Sequence, residues 1–441
     1  MTIDIAALSR KARNNLRYDT PLEPGDEKWV ELNPARGEFS EASMLWKLGI
    51  TGDGPLEPLP EPLYLAFGGH RGCGKSTELR RLKKMLERRD RYFVVFVDVL
   101  SELDVNNLRY SDLLLAQAKV LVDRLAENEI KLEQVFITRL EVWFKERIEK
   151  HETTGALAAE ITAGAEANSG LPFLAKIFGR LKNSVSVNST YKTEIRENVR
   201  NSFGEFAEAF NLLLTHAEER LERAALGKRI LFIVDGTDRL RGDDAEYFFV
   251  RDVHQLKLIH ACFIYCTPIQ LLSESGSLQQ NFQLLRLPMI KIAEKGGTSL
   301  LPDALAVLHE LVYRRIDRRL FDAETTLDYL IGVSGGHLRD LVRLLQYSLA
   351  ETLGQKSIDR DCAERAVKQL ATEYRRLIRQ DDYSLLKKID QSDNDYTPNT
   401  DATRRLLYDL ALLEYNAYWW QSHPVVRTLN SYQSAQAATG T

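Results

Sequence analysis

One string constrains this chain more than any other: Gly69-His70-Arg71-Gly72-Cys73-Gly74-Lys75-Ser76, followed by Thr77. It fits the pattern GxxxxGK[ST]. Glycines at these positions let the backbone turn so that several N–H groups face one cluster of phosphate oxygens. A helix starting near Lys75 adds its N-terminal partial positive charge. Lys75 reaches the terminal phosphates as a point charge, and Ser76 offers its hydroxyl to Mg²⁺. The loop thus predicts a nucleotide-phosphate site built from Gly69, Arg71, Gly72, Cys73, Gly74, Lys75, Ser76 and Thr77. Cys73 reads as a small side chain without chemistry of its own.

The motif has meaning only between a strand and a helix, and the flanks supply both. Leu63 to Phe67 is an apolar run entering the loop, and Leu79, Leu82 and Leu86 recur at helical spacing after it. Tyr92 to Val99, Arg229 to Val234, Ala261 to Cys266 and Leu284 to Ile290 read as further buried strands, with Leu108 to Lys150 and Glu194 to Leu221 as helix. Strands alternating with helices predict an α/β fold with a parallel sheet covered on both faces.

The second chemical signal is Leu231 to Asp235, an apolar strand ending in acid. Asp235 is expected to hold the Mg²⁺ shell opposite Ser76. The position after it, where many such sites carry a glutamate, is Gly236; the next acid is Asp238. Two roles stay open for Asp238: polarising a water, or orienting Arg239.

Around this core the chain divides into an irregular N-terminal arm over 1–60, a nucleotide domain over 61–292 with an insertion at about 150–195, a helical lid over 293–380, and a small winged-helix-like unit over 381–441. Two proline-rich stretches, Asp19 to Asp26 and Gly52 to Pro62, mark the arm as loop, with a short helix expected over Phe39 to Leu48. In the insertion, Leu171 to Leu181 places Phe173, Leu174, Ile177, Phe178 and Leu181 on one face, with the protein's own core as the first expectation for that face. Near the end, Leu412 to Tyr415 and Tyr418 to Val426 read as the arms of a hairpin.

Composition removes other classes. The chain has 441 residues and a net charge of -4, so no global charge marks a nucleic-acid binder. Its four cysteines form no CxxC or Cys/His cluster, which argues against zinc and against a disulfide scaffold and fits a reducing cytoplasm. No run is apolar enough to span a bilayer, and the start has no signal-peptide pattern.

With these motifs in place, a family resemblance becomes specific over roughly residues 60–380. Ser334-Gly335-Gly336-His337-Leu338-Arg339 resembles the GGxxR sensor-2 motif of replication-initiator-type AAA+ ATPases, and Asp235 to Arg239 (DGTDR) resembles the STAND branch of signalling ATPases. The resemblance implies ATP as the nucleotide, in keeping with the lack of a guanine-reading NKxD motif. It implies that Arg339 reaches the γ-phosphate from the lid, and that Thr267, at the end of a strand, acts as the sensor-1 group. It further implies a nucleotide switch, a protein partner and a homo-oligomer; no arginine finger is assigned, Arg286 and Arg251 being open either to that role or to a surface charge. A bacterial defence setting follows from the STAND likeness alone. The initiator likeness keeps a DNA-associated ATPase open, with Arg404, Arg405 and Arg427 as the basic residues near the C-terminal hairpin. A nucleotide-holding scaffold without turnover is the third alternative.

Overall fold

The structure is a computed structural model and describes residues 4–37, 39–103, 108–148, 196–197, 200–240, 242–273, 275–297, 299–354, 356–415 and 419–436. Residues 149–195, with the Leu171 to Leu181 block, and Tyr418 lie outside the described residues.

Five parallel strands form the central sheet: β1 (Tyr64–Gly68), β2 (Tyr92–Asp98), β3 (Arg229–Asp235), β4 (Cys262–Thr267) and β5 (Gln283–Arg286), in the order β2-β3-β4-β1-β5. The apolar runs that announce these strands are buried on both faces. Because strand side chains alternate, each strand feeds two cores. Ile230, Phe232 and Val234 of β3 pack with the helices Tyr110–Glu127 and Phe203–Arg223. Leu231 and Ile233 pack on the opposite face with Leu79, Leu82 and Leu86 of the helix Lys75–Leu86. The three leucines of that helix are fully buried, as their spacing requires.

The register sets the active edge. Asp98 of β2 lies opposite Asp235 of β3, and Gly68 of β1 lies opposite Thr267 of β4. Both apolar strands on this side therefore end in acid at the same level, beside the loop leaving β1. In an open α/β sheet this carboxyl edge is where ligands sit.

Past the sheet, the helices Pro302–Tyr313, Glu324–Ser334, Leu338–Glu351 and Arg360–Leu377 build the lid. The helices Asp382–Gln391 and Asp401–Tyr408 follow, then an antiparallel hairpin of β6 (Leu412–Glu414) and β7 (Trp420–Ser422). Leu386, Ile389, Leu406, Leu407 and Leu412 share one apolar cluster with the lid helices, while Leu413, Tyr415 and Trp419 turn the other way, into the cluster under the phosphate loop. The C-terminal segment is thus wedged between lid and sheet.

The N-terminal arm differs from its expected irregular course. Ile5–Asn15 is a helix, started by Asp4, whose carboxylate accepts from the Ala7 N–H. Its Ala12 and the following Leu16 are buried against the lid. The helix has only a thin apolar stripe among basic residues, so its sequence signal is weak until the lid supplies a surface.

Candidate nucleotide site

The loop after β1 is shaped by glycines where no other residue fits. Gly72 has φ 82° and Gly74 has φ 103°, both in the left-handed region. A Cβ on Gly72 would lie 2.7 Å from both the Arg339 Cβ and the His337 Nε2, so the lid closes directly onto the loop.

Lys75 is buried, and its ammonium has three partners: the carbonyl oxygens of Gly69 and His70, each at 2.8 Å, and Asp238 Oδ2 at 2.8 Å. Burial alone would lower the Lys75 pKa; the charge and hydrogen bond of Asp238, together with smaller contributions from Cys73 and Cys266, make the net shift upward. Asp238 shifts the other way. Burial opposes its ionisation, yet Lys75 holds its pKa below the ordinary carboxylate value. Of the two roles left open for Asp238, orienting Arg239 is not what the geometry shows: its ion-pair partner is Lys75.

The metal-side pair is also in contact. The Ser76 hydroxyl donates to Asp235 Oδ1 at 2.9 Å. Burial, and then the charge of Asp238, raise the Asp235 pKa. A divalent cation would relieve both penalties. The hard oxygens of Ser76 and Asp235, with Asp98 alongside, are the donor type Mg²⁺ takes, so these residues fit the metal that the motif implies. Arg80, one turn along the helix, lies 3.5 Å from Asp235 and 3.8 Å from Asp98 and is held by Glu23 of the arm at 2.7 Å.

Arg339 stands at the lid side of the loop. Its backbone N–H donates to the Gly72 carbonyl at 3.3 Å, and its side-chain Nε is buried without a hydrogen-bond partner. Burial lowers its pKa, and the neighbouring charges of Arg71 and Arg239 lower it further. Arg71, Arg239 and Arg339 share the cavity wall, a group of guanidinium donors of the kind that suits a polyphosphate.

The arm closes the far wall of the cavity, which measures about 270 Å³. Tyr18, Leu22 and Trp29 of the arm line it together with Leu311 and Val342. The Leu22 N–H donates to the Thr77 hydroxyl at 3.1 Å. Arg36, itself buried, donates to the Cys73 carbonyl at 2.7 Å and to the Pro288 carbonyl. A cavity lined by both charged and apolar side chains is able to take an amphiphilic ligand such as a nucleotide.

Thr267 is not brought into this site. It is fully buried, its hydroxyl donates to the Tyr265 carbonyl at 3.1 Å, and it is absent from the cavity wall. Arg286 and Arg251 are both engaged within the chain, Arg286 with Glu414 at 2.8 Å and Arg251 with Glu246 at 2.9 Å.

Sequence reasoning passed over Arg36, Arg80, Asp98 and the arm. Only Asp98 carried a readable signal, since its strand, like that of Asp235, ends in acid. It also passed over a buried hub behind the loop. Asp340 Oδ2 accepts from the Tyr374 hydroxyl at 2.5 Å, and Asp340 Oδ1 accepts from Arg343 at 3.0 Å. His337 Nδ1 and His423 Nε2 lie 3.1 Å and 3.2 Å from Asp340, close enough for ion pairs although too bent for good hydrogen bonds. Two imidazoles and a carboxylate could hold a metal. However, His423 Nδ1 accepts from the Val425 N–H, which leaves the ring proton on Nε2, facing Asp340. The group is a hydrogen-bonding hub joining lid, C-terminal segment and, through the 2.6 Å contact of His337 Nε2 with the Arg71 carbonyl, the phosphate loop.

A parallel sheet with the phosphate loop after β1, Asp235 at the end of β3, β4 between them and a helical region beyond the sheet carrying Arg339 defines a P-loop NTPase fold. No family model and no curated protein matches the chain. Among solved structures it is similar to a Walker-type ATPase of Pyrococcus abyssi, with 14% identity, 93% of this chain and 98% of the other covered, and a TM-score of 0.41. It is also similar to Cdc6p of Pyrobaculum aerophilum, with 12% identity, 92% and 97% covered, and a TM-score of 0.34. Both likenesses are distant; the fold assignment stands on strand order and loop geometry.

Proposed function

We propose that this chain is an ATP-dependent molecular switch of the AAA+/STAND type, binding ATP with Mg²⁺ and hydrolysing it slowly. The observation that carries this reading is the convergence of Lys75, Ser76, Asp235, Asp238 and Arg339 on one glycine loop. Slow turnover is favoured because Gly236 stands where a water-activating glutamate would follow Asp235, and the next acid along the chain, Asp238, is committed to Lys75. Mg²⁺, when bound, would neutralise phosphate charge between Ser76 and Asp235.

A switch needs a surface that reports the nucleotide. Arg339 and His337 tie the lid to the loop, and the hairpin is tied to the same loop because the Glu414 N–H donates to His70 Nε2 at 2.7 Å. Engagement of phosphate by Arg339 would therefore be felt by the C-terminal segment. A protein partner reading that segment, in a bacterial defence setting, is the form this takes in the STAND resemblance. An arginine reaching a neighbour's site draws no support from Arg286 or Arg251, which are paired inside the chain. The DNA-associated alternative draws none from Arg404 and Arg405, which pair with Asp401 and Asp382.

The test is direct. Wild type and Lys75→Ala are titrated with Mg-ATP, and phosphate release is followed, with native mass measured in parallel. Saturable binding and slow turnover in wild type, both lost in Lys75→Ala, are expected. Binding without turnover would leave only the scaffold reading, and no binding at millimolar ATP would remove the proposal.

A further inference from the structure

We propose that Arg36, from the arm, is a positioning residue of the phosphate loop: it holds the Cys73 carbonyl and so fixes the Gly74 N–H as a donor to phosphate. The proposal rests on the nucleotide-binding reading above and goes further in naming what keeps the loop in its anion-binding form.

The carbonyls of the loop are each held by a donor. The Lys75 ammonium takes those of Gly69 and His70, each at 2.8 Å. His337 Nε2 lies 2.6 Å from that of Arg71, and the Arg339 N–H donates to that of Gly72 at 3.3 Å. Arg36 Nη2 donates to that of Cys73 at 2.7 Å. Lys75 belongs to the loop itself, whereas the donor to Cys73 comes from 37 residues upstream.

A trans peptide is planar, with its C=O and N–H on opposite sides. A Cys73 carbonyl directed at the guanidinium therefore directs the Gly74 N–H away from it. That N–H donates to no atom among the described residues. It stands at the head of the helix Lys75–Leu86, where backbone N–H groups lack intrahelical partners and suit an anion.

The glycine makes a clamp necessary. Gly74 has φ 103°, and glycine populates both signs of φ about equally. The Cys73–Gly74 peptide is free to turn over unless its carbonyl is held, and the turned form presents a carbonyl where the N–H stood. The clamp is itself fixed. Arg36 also donates to the Pro288 carbonyl, and the Lys291 N–H donates to the Ala35 carbonyl at 3.1 Å. The Leu287 N–H donates to the Gly68 carbonyl at 2.8 Å, so the segment that Arg36 bridges to is bonded to the root of the loop. A planar guanidinium spans two carbonyls at once; an ammonium keeps the charge without that fixed fork.

The experiment uses the full chain as wild type, Arg36→Lys, Arg36→Met and Lys75→Ala. Dissociation constants of ADP and of inorganic pyrophosphate are measured with Mg²⁺. In parallel the protein is labelled with ¹³C-carbonyl cysteine and ¹⁵N-glycine. Cys73–Gly74 is the one Cys–Gly step in the sequence, so a single resonance reports this peptide. Both Arg36 variants are expected to bind both ligands about tenfold more weakly, with Arg36→Lys within about threefold of Arg36→Met. The Cys73 carbonyl resonance of the free protein is expected to move in both. Wild-type affinity in Arg36→Lys would leave only a charge effect and overturns the proposal. So does an unmoved Cys73 carbonyl resonance. So does unchanged pyrophosphate binding with weakened ADP binding, which would make Arg36 a contact to the nucleoside. If the variants fail to fold by circular dichroism, wild type decides alone: its Gly74 amide proton is expected to move downfield as pyrophosphate is added, and a static Gly74 amide overturns the proposal. Wild type that binds neither ligand, with Lys75→Ala the same, overturns the underlying nucleotide reading and this proposal with it. Wild type that binds both, with Arg36 variants equal to it, overturns this proposal alone.

Discussion

The His337 Nε2 lies 2.6 Å from the carbonyl oxygen of Arg71, so the lid is bonded to the backbone of the phosphate loop itself. The same imidazole faces Asp340, which gathers Tyr374, Arg343 and His423. Replacing His337 by Ala removes the fully buried ring that is bonded to the Arg71 carbonyl and lies 3.1 Å from Asp340. A loss of about 2–4 kcal/mol in urea-unfolding free energy is expected, together with weaker ATP binding. An unchanged denaturation midpoint would show that this bond does not hold the lid.

Gly336 gives a sharper test of the lid's seat. It has φ 74°, and a Cβ there would lie 2.0 Å from the Ile290 carbonyl oxygen. Neither atom belongs to a flexible side chain. Gly336→Ala is expected to cost about 2 kcal/mol or more in thermal or chemical denaturation. The exposed Gly25, whose Cβ would meet nothing within 4 Å although φ is 99°, is the control and should cost less than Gly336→Ala.

Arg339 separates stability from function. Its Nε is buried without a partner, beside Arg71 and Arg239. Arg339→Met should therefore leave the melting temperature of the nucleotide-free protein unchanged or raised, while the rise in melting temperature on adding Mg-ATP shrinks. Thermal shift with and without nucleotide reads both. Destabilisation of the free protein to the same extent as the loss of ligand response would make Arg339 a structural residue.

Acidification should destabilise the fold in two stages. Burial holds His423 and His70 below the ordinary imidazole pKa, so the unfolded chain takes up protons first and stability falls once pH drops through about 6.5. Asp340 is depressed well below the ordinary carboxylate value; burial opposes this, and the neighbouring His337 and His423 overcome it. Its contribution is present above the unfolded carboxylate pKa of about 4 and is lost as pH falls toward its folded value. Unfolding curves between neutral pH and acid should show both, and His423→Gln should flatten the upper stage.

Divalent metal should matter through Asp235. Chelating Mg²⁺ is expected to weaken ATP binding in wild type, and Asp235→Asn should remove most of that dependence. A metal dependence equal in both proteins would place the cation elsewhere.

The nucleotide core was largely legible because its signals are local. The glycines and lysine of the loop sit in one string, and a buried strand ending in acid reads directly from Leu231 to Asp235. What was not legible depends on residues far apart meeting. Arg36 has no pattern around it, yet it reaches the Cys73 carbonyl; the stretch between the arm's two helices has no periodicity, yet it supplies a wall. Thr267 misled because a strand end gives the position of a side chain but not whether it points into the site or under it. The link from Asp340 to His423 spans the lid and the final segment, and only packing brings them together.

That wall has a practical meaning. A fragment begun at residue 61, where the strand–helix rhythm starts, would keep every recognisable motif. It would also forfeit the Leu22 bond to Thr77, the Arg36 clamp on Cys73 and the arm's part of the cavity wall. The cavity's complete wall therefore needs a longer chain than the motifs that announce it.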